Sequence, residues 1–364
     1  MLHQDGSVPR FEPFPGIRYA PHVDADEVVA PPYDVMSDAE RASYAARSRA
    51  NAVRFDAPVG DDPYEDAARI FEGLQADGTL VVDDAPSLYL YRMTDGDRST
   101  TGVIGALGIG DDDVLPHEQT TKKAKSDRLD LLRATHANLS PIWGLSLAKG
   151  LGDLCRPDGE PDMRATDPDG IVHELWRIGD FAHIAAIVER VESAPVVIAD
   201  GHHRYDTCGA YKSERGPAAG GYDLTMTFIV ELAEDELDVR PIHRLLHGAP
   251  AEVIAARLGL PDGDAMTLVG PTRTWSYGRR PDGPELDTEQ LAGALDGIEG
   301  LEVTYNHGDV AAAVRAGHAS AAVVMRAITV ATIQDYAHRR DRMPPKTTYF
   351  FPKPRTGFVF RDLG

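Results

Sequence analysis

The run Ala199-Asp200-Gly201-His202-His203-Arg204-Tyr205 gathers a carboxylate, two imidazoles and a guanidinium around one glycine. It follows the apolar run Pro195-Val196-Val197-Ile198, which reads as a strand, and it leads into a helix-like segment, Tyr205 to Arg215. A strand that turns at a glycine into a helix start aims unsatisfied backbone N–H groups at one point, and such a point attracts anions, phosphate above all. Arg204 can hold a phosphate through two parallel hydrogen bonds. Asp200, at the strand end, can hold a Mg²⁺ ion that bridges phosphate oxygens. His202 and His203 can donate to phosphate or relay protons. The plain structural alternative has Asp200 capping the helix and one histidine packed in the core. The cluster as a whole favours a site for a phosphorylated ligand, namely a nucleotide.

Two further segments carry chemistry. Leu115-Pro116-His117-Glu118-Gln119-Thr120-Thr121 precedes Lys122, Lys123 and Lys125. A carboxylate beside an imidazole can act as a general base, and the lysines can neutralise phosphate. A charged loop followed by a solvated helix face accounts for the same residues. Met343 to Pro354 sets Lys346 and Lys353 around Tyr349-Phe350-Phe351. These lysines can reach phosphate and an aromatic ring can stack on a base, although an edge strand fenced by prolines would look the same. Histidine-bound metal is the competing chemistry. His202 and His203 are adjacent, so on a helix they diverge by about 100°. His243 and His247 have the four-residue spacing of two ligands on one helix face. Arg244, however, stands where the metalloprotease motif has glutamate.

The elements that must position these groups follow from composition and pattern. The chain has 364 residues, 42% of them hydrophobic, and a formal net charge of −21, which argues against a general nucleic-acid partner. Five of its seven lysines fall in the stretches Lys122 to His136 and Arg339 to Arg355, local positive charge that suits a small anion. No apolar run reaches membrane-spanning length and no signal pattern opens the chain, so a soluble, cytoplasmic protein is expected. Cys155 and Cys208 have no metal-type spacing and read as reduced, buried residues.

Ser37 and Glu40 form a capping-box spacing ahead of a short helix. Helices are expected over Pro63–Ala76, Ser126–Thr135, Phe181–Val191, Gln290–Leu295, Val310–Ala316 and Val330–Arg339. Strands are expected at Leu88–Met93 and Gly102–Leu107, joined by a turn at Asp95-Gly96, and at Ile142–Leu147 and Tyr222–Leu232. Later strands are expected at Pro271–Arg280, Ser320–Met325, Tyr349–Phe351 and Gly357–Phe360. Strands joined by hairpins and mixed with helices predict an α+β fold, a mixed sheet with flanking helices.

Taken together, the blocks Ala30-Pro31-Pro32-Tyr33-Asp34-Val35, Pro116-His117-Glu118, Asn138 to Leu145, Ala199 to Tyr205 and Met343 to Lys353 resemble the signature blocks of the domain-of-unknown-function 1015 family. Asp-Gly-His-His-Arg also resembles the phosphate-binding motif of the ParB-like and sulfiredoxin-like fold, and most of all that of the free serine kinases in it. This second resemblance implies a ParB-like nucleotide-binding core at residues 80–240. An N-terminal extension with helices (1–79) would precede the core, and an α+β portion (241–364) would pack on it. It implies ATP or ADP with Mg²⁺, and Asp200, Gly201, His202, His203 and Arg204 as phosphate and metal binders, with Lys346 and Lys353 in support. Glu118 as the base, with His117 beside it, is inferred from placement alone. The activity expected is a kinase acting on a small hydroxyl compound such as free serine. A nucleotide-binding regulatory module without turnover and a metal-dependent hydrolase are the alternatives. The partners expected are a nucleotide and a small-molecule substrate, with no nucleic acid and no membrane; a homo-oligomer is left open.

Overall fold

The structure is a computed structural model, and it describes residues 8–117, 125–298, 300–304 and 307–364. It divides into two units, Met1–Asp238 with Pro352–Gly364, and Val239–Phe351.

The first unit is built on a mixed sheet of nine strands: β1 (Phe11–Glu12), β2 (Leu88–Asp95), β3 (Arg98–Gly108), β4 (Val114–Pro116), β5 (Ile142–Ser146), β6 (Met163–Thr166), β7 (Val172–Ile178), β8 (Val196–Asp200) and β9 (Leu224–Glu231). Their order is β4-β8-β5-β9-β3-β2-β7-β6, with β1 also paired to β3. β4 runs parallel to β8, and β5 parallel to β9, while the other neighbours are antiparallel. The central strands are buried along nearly their whole length, as a sheet covered on both faces requires. On one side, Ile184, Ile187 and Val191 of the helix Phe181–Glu192 join Ile142, Trp176, Val196, Ile198 and Ile229 in the main core. A second core gathers Phe55, Phe71 and Phe360 as edge-on and tilted rings. The α+β architecture with a mixed sheet and flanking helices is the one expected.

Local signals translate directly. Ser37 Oγ accepts from the Glu40 N–H at 3.3 Å while the Glu40 carboxylate accepts from the Ser37 N–H at 2.8 Å, so the capping box is complete. Where the structure departs from the expectations, longer-range packing decides. Gly357–Phe360 is not a strand, because Gly357 turns to φ 118°. The segment makes single bridges instead, Thr356 to Ala30 and Phe360 to Ile17, before Arg361–Asp362 pairs with Ala137–Asn138. β7 escaped the pattern because its inward position 173 is a histidine, fully buried.

The second unit carries a five-stranded antiparallel sheet in the order Thr274–Tyr277, Asp262–Val269, Ala321–Met325, His243–Leu246, Leu301–Thr304. Its core joins Leu246, Leu268 and Val323 to Ile254 and Leu258 of the helix Ala251–Leu258 and to Leu291 of the helix Asp287–Leu295. This sheet removes the His243/His247 metal pair. His243 lies on a strand, where a four-residue step spans about 13 Å. It is buried, accepting the Met325 N–H at Nδ1 (3.1 Å), whereas His247 is exposed beside Glu302 (3.0 Å). Among the described residues no helix is long and apolar enough to cross a membrane.

Candidate functional site

β8 ends in the turn that the sequence singles out. Its register against β5 shifts between Ile198 and Asp200, a bulge that re-aims the last residues of the strand. Gly201 follows at φ 86°, a left-handed conformation that a Cβ would penalise, and it is the N-cap of the helix His202–Arg215. The helix starts three residues earlier than its composition suggested, so His202, His203 and Arg204 form its first turn. A helix start leaves the backbone N–H groups of its first turn without helical carbonyls to bond. Asp200 is therefore not the cap.

The Asp200 carboxylate lies between two cations. Arg204 Nη2 donates to its Oδ2 at 2.8 Å, and Lys353 Nζ donates to its Oδ1. Burial by itself would raise the Asp200 carboxyl, but the charges of Lys353 and Arg204 outweigh that and hold it below the usual carboxylate range. Arg204 is nearly buried and is held from several sides. Its Nη1 donates to the Pro141 carbonyl, and its Nε finds no hydrogen-bond partner among the described residues. Burial opposes charge on this guanidinium, yet the negative charges of Asp34 and Asp200 prevail and its pKa is raised. Beside it lies a cavity of about 40 Å³, lined in part by Arg128, Asn138, Ser140, Thr207 and Cys208. That volume holds water and is too small for a nucleotide, since one water needs about 10–15 Å³.

The proline-fixed N-terminal block joins this neighbourhood. Tyr33 lies in a short 3₁₀ turn, with the Arg128 guanidinium 4.0 Å from its ring centroid. Arg128 in turn pairs with buried Asp56 at 2.8 Å. On the other side of the turn, His117 leaves β4 buried. Its Nδ1–H donates to the Ile198 carbonyl, and its ring centroid is 4.9 Å from that of His202. His117 thus braces the strand that carries Asp200.

Of the residues selected from sequence, the structure brings together His117, Asp200, Gly201, His202, Arg204 and Lys353. His203 lies on the same first turn, its carbonyl accepting from Thr207 Oγ1 at 2.7 Å. Lys346 belongs to the second unit, where its carbonyl accepts from Arg244 Nη2 at 3.0 Å. Glu118, Lys122 and Lys123 lie outside the described residues. Thr207 and Cys208 pack in the helix, and both Cys155 and Cys208 are buried free thiols. Sequence reasoning missed Asp56, which no local pattern marks, and it gave the Pro141 carbonyl no role although Pro141 lies in the block Asn138 to Leu145. Among the described residues no three His, Cys, Asp or Glu side chains converge as metal ligands. Both oxygens of Asp200 already face a cation, so these residues do not form a Mg²⁺ site on their own.

No curated protein matches the sequence. Several solved structures are similar to it in part. SbnI with C-terminal truncation from Staphylococcus aureus is 12% identical with a TM-score of 0.45, over 70% of this chain and 85% of that one. A free serine kinase in complex with AMP is 17% identical with a TM-score of 0.43, over 69% and 88%. A conserved hypothetical protein from Pyrococcus furiosus is 16% identical with a TM-score of 0.41, over 68% and 90%. The family model described as "Protein of unknown function (DUF1015)" matches residues 11–259, more than half of the sequence, and the chain belongs to that family.

Proposed function

We propose that this protein is a nucleotide-dependent phosphotransferase acting on a small hydroxyl compound, with free serine the first acceptor to test. The observation that carries the reading is the convergence of Arg204 and Lys353 on one point beside a left-handed glycine that opens a helix. Two cations and a turn of backbone N–H groups are the parts from which phosphate cradles are made. Phosphoryl transfer asks the protein mainly for positioning and charge neutralisation.

In this reading Arg204, Lys353 and the first-turn amides hold the phosphates of ATP or ADP. The acceptor oxygen attacks the terminal phosphorus, the bond to the departing nucleotide oxygen breaks, and a carboxylate takes the hydroxyl proton. Glu118 is assigned as that base. Mg²⁺ enters the proposal only as an ion carried by the nucleotide, with Asp200 as the nearby carboxylate. His202 and His203 are proposed as donors. The ParB-like character of residues 80–240 belongs to the same proposal, as does a cytoplasmic location.

A second reading is a nucleotide-responsive module without turnover. It is favoured by one observation: Asp200 already occupies both cations, as a resting switch would have it. The third reading is a metal-dependent hydrolase built on His117, Glu118 and the paired histidines; among the described residues no three His, Cys, Asp or Glu side chains converge as metal ligands. One experiment sorts these readings. The protein is incubated with terminally labelled ATP or ADP, MgCl₂ and serine, and products are resolved by mass. Phosphoserine supports the kinase, saturable binding without product supports the switch, and nucleotide breakdown without acceptor supports the hydrolase. If the nucleotides neither bind nor react, the proposal fails.

A further inference from the structure

Lys353 reaches Asp200 from a segment that returns to the first unit after the 113 residues of the second. What holds that segment is a closed ring of hydrogen bonds just beyond the lysine. The Arg355 N–H donates to Tyr91 Oη at 3.0 Å. The Asp167 carboxylate only accepts, so the neutral His173 imidazole carries its proton on Nε2, 3.4 Å from Asp167 Oδ2, and its Nδ1 accepts the Tyr91 hydroxyl proton at 2.8 Å. The Arg355 guanidinium closes the ring on the same Asp167 oxygen.

Tyr91 is 1% exposed and His173 0%, so no substrate can touch them. A Tyr-His-Asp chain in such a place is no proton relay to a reactant. It grips Arg355 by main chain and side chain at once, two residues from Lys353. The next residue, Thr356, exchanges both backbone hydrogen bonds with Ala30 (2.9 and 3.0 Å), and its hydroxyl donates to Asp56 Oδ2 at 3.3 Å. Asp56 holds Arg128, which covers Tyr33. The returning segment therefore ties Lys353 to the proline-fixed block on the far side of the site.

We infer that Tyr91, His173, Asp167 and Arg355 are positioning residues: their ring sets where Lys353 Nζ stands and so tunes the anion site. The inference deepens the nucleotide reading and rests on it for its ligand, but not for its geometry. The first test needs no nucleotide. Lysine acetylation by acetic anhydride, followed by mass spectrometry, is compared between the full-length protein and Tyr91→Phe, with Asp167→Asn as a second variant and unfolding curves as a fold check. Freed from its station, Lys353 should label about threefold to tenfold faster while Lys149 and Lys212 keep their rates. This corresponds to a coupling of about 0.6 to 1.4 kcal/mol. The second test is ADP affinity by calorimetry. Tyr91→Phe should weaken ADP several-fold in the natural background and have no effect in Lys353→Met, whereas a merely structural loss would add in both. Unchanged Lys353 labelling in a folded variant overturns the inference. Faster labelling in a protein that never binds ADP upholds the ring and overturns the nucleotide reading alone.

Discussion

Replacing Asp200 with asparagine tests the proposed anion site at its centre. The substitution keeps shape and removes the charge, leaving Lys353 and Arg204, with side chains 12% and 10% exposed, without the carboxylate on which both converge. Breaking a buried ion pair by removing one partner costs about 3–5 kcal/mol. Asp200 is itself 21% accessible, so water relieves some of that and the low end, about 3 kcal/mol, applies. For a unit of this size each kcal/mol lowers the midpoint by about 2–4 °C, which gives a drop of about 6–12 °C in the first unit's transition. The distinguishing outcome is rescue. In the variant, inorganic phosphate can take the place of the missing carboxylate, and at a hundred times its dissociation constant it returns about 2.7 kcal/mol, most of the loss. In the natural protein phosphate must first displace Asp200, so it should stabilise less. Scanning calorimetry with phosphate, against chloride at equal ionic strength, measures both. The pH sign is also fixed. Asp200 is held below its ordinary value by Lys353 and Arg204 against the opposing effect of burial. Its contribution is complete above the unfolded carboxyl pKa of roughly 4 and fades as pH falls through the lower folded value. The gap between natural protein and variant should thus be constant from pH 5 to 8 and narrow only in stronger acid, below roughly pH 4. Equal melting of the two proteins, or equal stabilisation by phosphate, would refute the reasoning.

Three other outcomes follow. Gly201→Ala should cost about 1–2 kcal/mol for the left-handed backbone. It should also weaken ADP, because the new Cβ would stand 3.0–3.1 Å from the Arg204 guanidinium; a variant with natural Tm and affinity argues against the turn's role. Glu118→Gln should lower turnover by at least about a hundredfold, within the range of general-base catalysis, with ADP affinity unchanged by calorimetry; normal turnover removes Glu118 as the base. Burial pushes the Cys155 thiol up to about 12 and raises that of Cys208. Ellman's reagent should therefore find no fast-reacting thiol in the native protein and two in guanidinium, and a rapid native phase contradicts the packed environment around either residue.

The sequence was most legible where structure depends on neighbours along the chain. The capping box at Ser37, the hairpin at Asp95-Gly96 and the strand-glycine-helix turn at Asp200 to Arg204 each need only a few consecutive residues. β7 and the strand Asp262–Val269 were hidden because their burial comes from partners far away, and a buried histidine or a bulge breaks the alternation that announces a strand. The spacing of His243 and His247 misled for the related reason that it has a helical meaning only on a helix. Sheet pairing of His243 with Thr304, 61 positions away, and of Arg244 with Val323, 79 positions away, settles that segment as a strand.

The site divides along the same line. The motif Asp-Gly-His-His-Arg encodes a backbone bend and a set of donors, because those are local properties. It does not encode whether the carboxylate is available to a metal, because that depends on Lys353, 153 positions later. From the motif alone Asp200 reads as a cation's ligand in waiting, but in the fold it already has two cations, both supplied by the protein. Asp34 and Asp56 add further negative charge around Arg204, so Asp200 is one of several carboxylates that balance these cations. Whether the Asp200 carboxylate faces a metal or a cation of the protein is thus decided by where the returning segment places one lysine, which no five-residue motif can express.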